Sequence, residues 1–172
     1  DILTSANCLT VLIGQSQHAH ARIKVMDLSA VAAAPGVVAV MSASDIPGVN
    51  DCGPMFHDDP IFAEDEVCYI GQSVFAVAAI DLASARHAIG LANIEYEPLP
   101  AILTIDEAMD AGSLLASPCK MTKGDPSKVL AESANQIKGR LYAGGQEHFY
   151  LEGQAALAVP GEDGDIQLFC ST

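Results

Sequence analysis

The sequence predicts an α+β fold, and three observations predict it. Over residues 1–103, runs with strand periodicity alternate with short Ala-rich helical runs. Their order is strand–strand–helix–strand, a long loop, then strand–helix–strand, so a strand–helix–strand unit recurs. Half of the 172 residues are apolar and only 17% are charged, the composition of a packed body rather than a disordered chain. There is no Trp and aromatics are 5%, so the core must rest on Val, Ile, Leu and Ala. This length suffices for one core, or for one core and the opening of another.

Each element has a local cause. Residues 8–14 (CLTVLIG) form a β-prone apolar run ending at Gly14, followed by the polar break QSQH. Ala21 to Met26 alternate, with Ile23 and Val25 on one face and Arg22 and Lys24 on the other, the pattern of a half-buried strand. Asp27 can cap a short helix from Leu28 to Ala34, which Pro35-Gly36 stops. Val37 to Met41 reads as a buried strand. Residues 43–66 form a long acidic loop holding Pro47, Pro54 and Pro60 and opened by a turn at Ser44-Asp45-Ile46. Loops of this length are functional or cover a neighbour. A strand is expected over Val67–Ile70. After Gly71 comes SVFAVAAI (residues 73–80), apolar throughout, as in a strand covered on both faces. Asp81 caps a helix from Leu82 to about Ala92, with Leu82, Ala85, Ile89 and Ala92 as its buried stripe. Ile94 to Glu97 alternate as a strand that Pro98 and Pro100 close. Two modest helices are expected near Ile105–Ala111 and Pro126–Glu132, with a Gly/Ser/Pro-bearing crossing between them.

Charge and cysteines narrow the function. With 22 acidic against 8 basic residues the net charge is −14, so nucleic acid and anionic membrane surfaces are poor partners. The five cysteines (Cys8, Cys52, Cys68, Cys119, Cys170) are widely spaced and contain no CxxC pair. A structural zinc or iron–sulfur site within the chain is therefore not expected, and thiols in a reducing cytoplasm are. No run approaches the ~20 apolar residues of a membrane span, and residues 1–20 show no basic n-region followed by an apolar h-region. The chain starts at Asp1-Ile2 without Met and is expected to be a portion of something longer.

His18-x-His20 would share a face on a strand, but no third ligand lies nearby and a metal is not expected. Asp58-Asp59 and Glu64-Asp65-Glu66 lack the spacing of a calcium loop and read as a solvated acidic loop. Gly71-Gln72 reads as a structural turn, and His87 as an exposed helix residue.

The chemistry concentrates in residues 141–160, LYAGGQEHFYLEGQAALAVP. A β segment is expected from Gln136, interrupted by Gly144-Gly145, a pair that lets backbone approach a ligand closely. Gln146, Glu147, His148 and Glu152 follow, with Phe149 and Tyr150 among them. A primary amide after paired glycines can donate a hydrogen bond without adding charge. Ala155–Val159 reads as a buried strand, turned by residues 160–164 into Ile166–Cys170.

GGQEHFYLE resembles the segment of the xanthine dehydrogenase and aldehyde oxidase family that supplies a glutamine to the molybdenum site. HARI at 20–23, DLSA at 27–30, PGVVAVMSASDIPG at 35–48, YIGQSVFAVAA at 69–79 and IEYEPLP at 94–100 resemble that family's α/β hammerhead domain. LEGQAALAVPGEDG looks most like the large subunits of bacterial xanthine dehydrogenases. The resemblance runs in order from Ile2 to Thr172. It implies a hammerhead domain over 1–104, a connecting segment over 105–134, and the first strands of a molybdopterin-binding domain over 135–172. It implies hydroxylation of a carbon beside nitrogen, or of an aldehyde carbon, with water as oxygen source. The substrate expected is hypoxanthine or xanthine, oxidised toward urate. An aldehyde oxidase, another N-heterocycle hydroxylase, or a non-catalytic structural or assembly module are the alternatives.

By the same resemblance Gln146 hydrogen-bonds an oxygen ligand of the molybdenum, and Gly145 lets the backbone approach the cofactor. Glu147 and His148 match the motif and acquire no role beyond support. The general-base glutamate and the substrate-clamping glutamate, arginine and phenylalanines belong to later segments of such enzymes, so no catalytic residue is expected here. The cofactor implied is molybdenum–molybdopterin, with 2Fe-2S clusters and FAD on other domains or subunits. The implied partners are a purine, the iron–sulfur/FAD part, the rest of the molybdenum subunit and further copies in an oligomer. The isolated chain is expected to be inactive.

Overall fold

The run SVFAVAA organises the first half of the molecule. A computed structural model describes residues 4–151 and 153–171. In it Ser73–Ala79 is β5, the middle strand of a three-stranded antiparallel sheet, flanked by β1 (Thr10–Gln15) and β3 (Val37–Ser42). Val74, Val77 and Ala79 are fully buried and Phe75 nearly so. A second sheet places β2 (Ala21–Asp27) between β4 (Glu66–Val67) and β6 (Asn93–Pro98), again antiparallel.

The two strand–helix–strand units interlock. With α1 (Ser29–Ala32) and α2 (Leu82–Ile89), they are β2–α1–β3 and β5–α2–β6. The last strand of the first pairs with the first strand of the second, and β2 pairs with β6. One core serves both sheets and both helices: Ala21, Val31, Val67, Val77 and Ala88 belong to a single buried cluster. The chain is thus α+β, as the pattern predicts.

Several expectations are corrected by the packing. In β2 the register shifts between Ile23 and Val25, a bulge that flips the alternation. Ile23 and Met26 therefore pack on the core, while Val25 is exposed. β3 is an edge strand rather than a buried one, and its Val38 and Met41 face outward. The strand expected over Val67–Ile70 stops at Val67, because Gly71 takes φ 91° and turns the chain, leaving Tyr69 and Ile70 exposed. α1 is shorter than expected. The Asp27 carboxylate accepts from Ser29 N at 2.9 Å, one step ahead of the N-cap residue Leu28. α2 is capped by Asp81 as expected, and of its expected stripe Ala85 is buried while Ile89 and Ala92 pack against the core; Leu82 is instead exposed and Ala88 is buried. Alanines at that face leave room for the helix to lie close on the strands.

The 43–66 loop is built rather than slack. A short 3-10 turn, Ala43–Asp45, opens it, with the Asp45 carboxylate accepting from Ser42 N at 2.8 Å and Ser42 Oγ at 2.9 Å. The Asn50 side chain clasps the main chain of Phe62 in both directions, at 2.8 and 3.0 Å. Phe62 and Ala63 plug into the core.

α3 (Ile105–Ala111) carries a Thr104–Glu107 capping box and ends at Gly112 in the left-handed region. By contacts the chain divides into two compact units, Asp1–Ser117 and Pro118–Thr172. The second contains α4 (Pro126–Glu132), capped by Asp125, and the hairpin β7 (Ala156–Pro160) and β8 (Ile166–Cys170). The β segment expected from Gln136 does not form: the described residues between 136 and 155 carry no strand. The strand near 155–159 is present but not buried, because a two-stranded hairpin shields only cross-strand neighbours such as Leu157 and Phe169. No helix among the described residues is long and apolar enough to cross a membrane.

Candidate functional site

The segment leading into β7 holds the residues that the sequence singles out. Gly144 and Gly145 stand in open space: a Cβ added to either would meet nothing within 4 Å. The pair is not required by packing against the described residues. What it provides is an unobstructed backbone, the property a close-approaching ligand needs. Gln146 follows with its amide exposed.

Phe149 has φ 51°, a left-handed conformation uncommon for a bulky residue. Glu147 Oε1 accepts from Phe149 N at 3.4 Å, and the rings of His148 and Tyr150 stack at 5.6 Å with planes 3° apart. Glu152 lies outside the described residues. The segment is anchored where it joins the hairpin. Ser171 Oγ accepts from Ala155 N at 3.1 Å and donates to Gly153 O at 3.2 Å. Sequence reading missed Ser171, since a lone serine sixteen residues from its partner leaves no periodic signal.

The candidate donor, the Gln146 amide, is neutral. Among the described residues no three His, Cys, Asp or Glu side chains are grouped to hold a metal ion. An amide and two open glycines suit a group that brings its own metal ligands and is held by hydrogen bonds.

The histidine pair does not converge. The His18 ring lies against Tyr96 at 4.7 Å, whereas His20 is bonded to Pro100 and Glu66. Gly71-Gln72 is a structural turn. Gln72 Oε1 accepts from Cys68 N at 2.6 Å, and the main chain of 71–72 exchanges bonds with Ser16. In the acidic loop, Asp51 is the organising residue. Oδ2 contacts His57 Nδ1 at 2.6 Å, and Oδ1 accepts from Gly53 N and Asp59 N. The His57 bond is the main reason its carboxyl titrates below the ordinary aspartate range.

Comparison with known proteins places this arrangement. Residues 1–100 match the family model "aldehyde oxidase and xanthine dehydrogenase, a/b hammerhead domain", and residues 109–172 match "molybdopterin cofactor-binding domain". The xanthine dehydrogenase/oxidase of Rattus norvegicus is 42% identical over 173 aligned positions, covering all of this chain and 13% of that protein. The chain thus spans about an eighth of the length of that relative. Among solved structures, the aldehyde oxidoreductase of Desulfovibrio gigas superposes with a TM-score of 0.82 at 25% identity, over 98% of this chain and 21% of that one. Quinoline 2-oxidoreductase of Pseudomonas putida shares the fold, with a TM-score of 0.83 at 24% identity over 99% of this chain and 24% of its own. The chain thus belongs to the aldehyde oxidase and xanthine dehydrogenase family.

Proposed function

We propose that this chain forms the glutamine side of the molybdenum site in a molybdenum hydroxylase that oxidises hypoxanthine and xanthine toward urate. The observation that carries the reading is the open Gly144-Gly145 backbone followed by the exposed amide of Gln146. The neutral donor set fits molybdopterin, which holds its metal through its own sulfur ligands. When bound, that cofactor supplies the redox chemistry. Gln146 would donate a hydrogen bond to it without adding charge, and Gly145 would let the main chain come close. Ser171 fixes the strand entrance from which this segment departs. The 42% identity to a xanthine dehydrogenase/oxidase supports a purine substrate.

The division proposed is a hammerhead domain over 1–104, a connecting segment over 105–134, and the opening of the molybdopterin-binding domain over 135–172. The break between units after Ser117 falls inside that connection. Electron transfer through 2Fe-2S clusters and FAD, the base and the substrate clamp belong in this reading to other parts of an oligomeric parent, and its cysteine usage suits the cytoplasm.

Gln146→Ala in the full-length parent tests the assignment. Outer hydrogen-bond partners of metal sites are worth roughly 10–100-fold in activity or metal affinity. Turnover should fall by that order while circular dichroism stays unchanged. Wild-type kinetics would reject Gln146. The 172-residue chain alone should bind no molybdenum and oxidise no xanthine, and stoichiometric metal in it would overturn the division of labour.

A further inference from the structure

We infer that His20 is a pH-sensitive clasp that fixes where the chain leaves the second sheet of the hammerhead unit. The local problem is set by proline. Pro98 and Pro100 have no N–H, so the end of β6 can offer the neighbouring chain only Leu99 N, which donates to His20 O at 3.0 Å. The His20 side chain supplies what the ladder lacks. Its Nδ1 is 2.6 Å from the Pro100 carbonyl oxygen, and its Nε2 is 2.8 Å from Glu66 Oε1. One ring thereby joins three segments: the approach to β2, strand β4, and the exit from β6.

Both partners are acceptors. A neutral imidazole carries one N–H and can satisfy only one of them; the imidazolium carries two and satisfies both. The complete clasp is therefore the charged form. The surrounding charges favour it. Glu66 of β4 is the nearest ionic partner. On β2, Arg22 lies opposite Glu66 in register, but its Nη1 is 3.3 Å from Glu97 Oε2 of β6, and Lys24 Nζ lies 3.6 Å from the same oxygen. On its own segment His18 is turned to Tyr96. The bond to Pro100, then that to Glu66, raises the proton affinity of His20 above its ordinary value.

The direction of the effect follows from linkage. A raised folded-state value means the clasp's contribution is fully present below about pH 6.5 and is lost as pH rises through the folded value. Above it the ring keeps one N–H, which stays with the stronger, charged acceptor Glu66, so the bond to Pro100 is released. The stretch after Leu99, which leads through Thr104 into α3, then has one tie fewer.

The test is an NMR titration of the full 172-residue chain, following the His20 ring protons and the amides of Ala101 to Thr104. The His20 midpoint should lie above 6.5. Glu66→Gln keeps an acceptor and removes the charge, so the midpoint should move down while the bond to Pro100 persists. Amide exchange at 101–104 should step up beyond the ordinary base-catalysed rise as His20 deprotonates. That step should be absent in His20→Gln. A midpoint at or below 6.5 in the wild type overturns the clasp. So does an exchange step that survives His20→Gln, or a midpoint indifferent to Glu66→Gln. Should His20→Gln fail to fold, the wild-type and Glu66→Gln titrations still decide.

Discussion

Gly14 shows how a single residue carries the first sheet. It faces Phe75 in the register of β1 and β5, and a Cβ there would lie 2.2 Å from the ring of Phe75, which is 2% exposed. The ring is walled in by the core and cannot yield as a flexible tip would. Gly14→Ala should therefore destabilise the chain by about 1–3 kcal/mol, the usual cost of overpacking, despite alanine's lower backbone entropy. Urea unfolding measures it, and the double variant Gly14→Ala/Phe75→Leu should recover part of the loss. Equal stability of Gly14→Ala and wild type would refute the contact. In the sequence Gly14 is legible only as the end of a strand, since nothing in CLTVLIG names Phe75 as its partner. Asp51 is hidden for the same reason. Its three bonds reach Gly53, His57 and Asp59 across a loop without periodicity, so it looks like one more solvated acid. Gln146 is proposed as a site residue through the family resemblance alone. The residues alone offer an amide after two glycines, which many polar edges share.

At the scale of elements, what is local was readable and what depends on a partner was not. The cap of α2 at Asp81 is expected and present; Thr104 and Asp125, which the sequence analysis does not name, cap α3 and α4 in the same way, each bonding the N–H three residues on. The extents of α3 and α4 came out as the pattern gave them. By contrast, the face of α2 that is buried, the edge position of β3 and the bulge in β2 are decided by neighbouring strands. The cap of α2 is the sharper test because that helix lies against the core through Ala85 and Ala88. Asp81 Oδ1 accepts from Ser84 N at 2.7 Å, and this bond holds its carboxyl below the usual range. Asp81→Ala should lower the Tm by a few degrees near neutral pH. Asp81→Asn, which keeps an acceptor oxygen, should lie close to wild type. A depressed carboxyl contributes stability above its unfolded value and loses it as pH falls through the folded one. The gap between Asp81→Ala and wild type should therefore shrink in acid. A gap independent of pH, with Asn no better than Ala, would remove the cap from the account.

At the scale of the molecule, burial is uneven. Every buried residue among those described lies in Asp1–Ser117, and none lies in Pro118–Thr172. Hydrophobic pattern told where apolar faces exist, and it read the strand near 155–159 as buried. Pattern cannot tell whether the same chain supplies the cover, and here Val159, Ile166 and Leu168 remain exposed. Local stability should follow this division, because amides are protected by the free energy of opening the structure around them. Amides of β5 should exchange slowest, close to the rate set by global unfolding. Those of β7 and β8 should be protected only as far as a lone hairpin allows, and those of 141–151 should exchange near the unprotected rate. The urea m-value, which scales with surface exposed on unfolding, should resemble that of a domain of about 115 residues rather than one of 172. Mass-resolved hydrogen exchange on the chain separates the cases. Protection over 141–151 equal to that of β5 would mean that the glutamine segment is already held in place here. Exchange near the unprotected rate would support the proposal that Gln146 gains its fixed position only when other parts of the parent and the cofactor close over it.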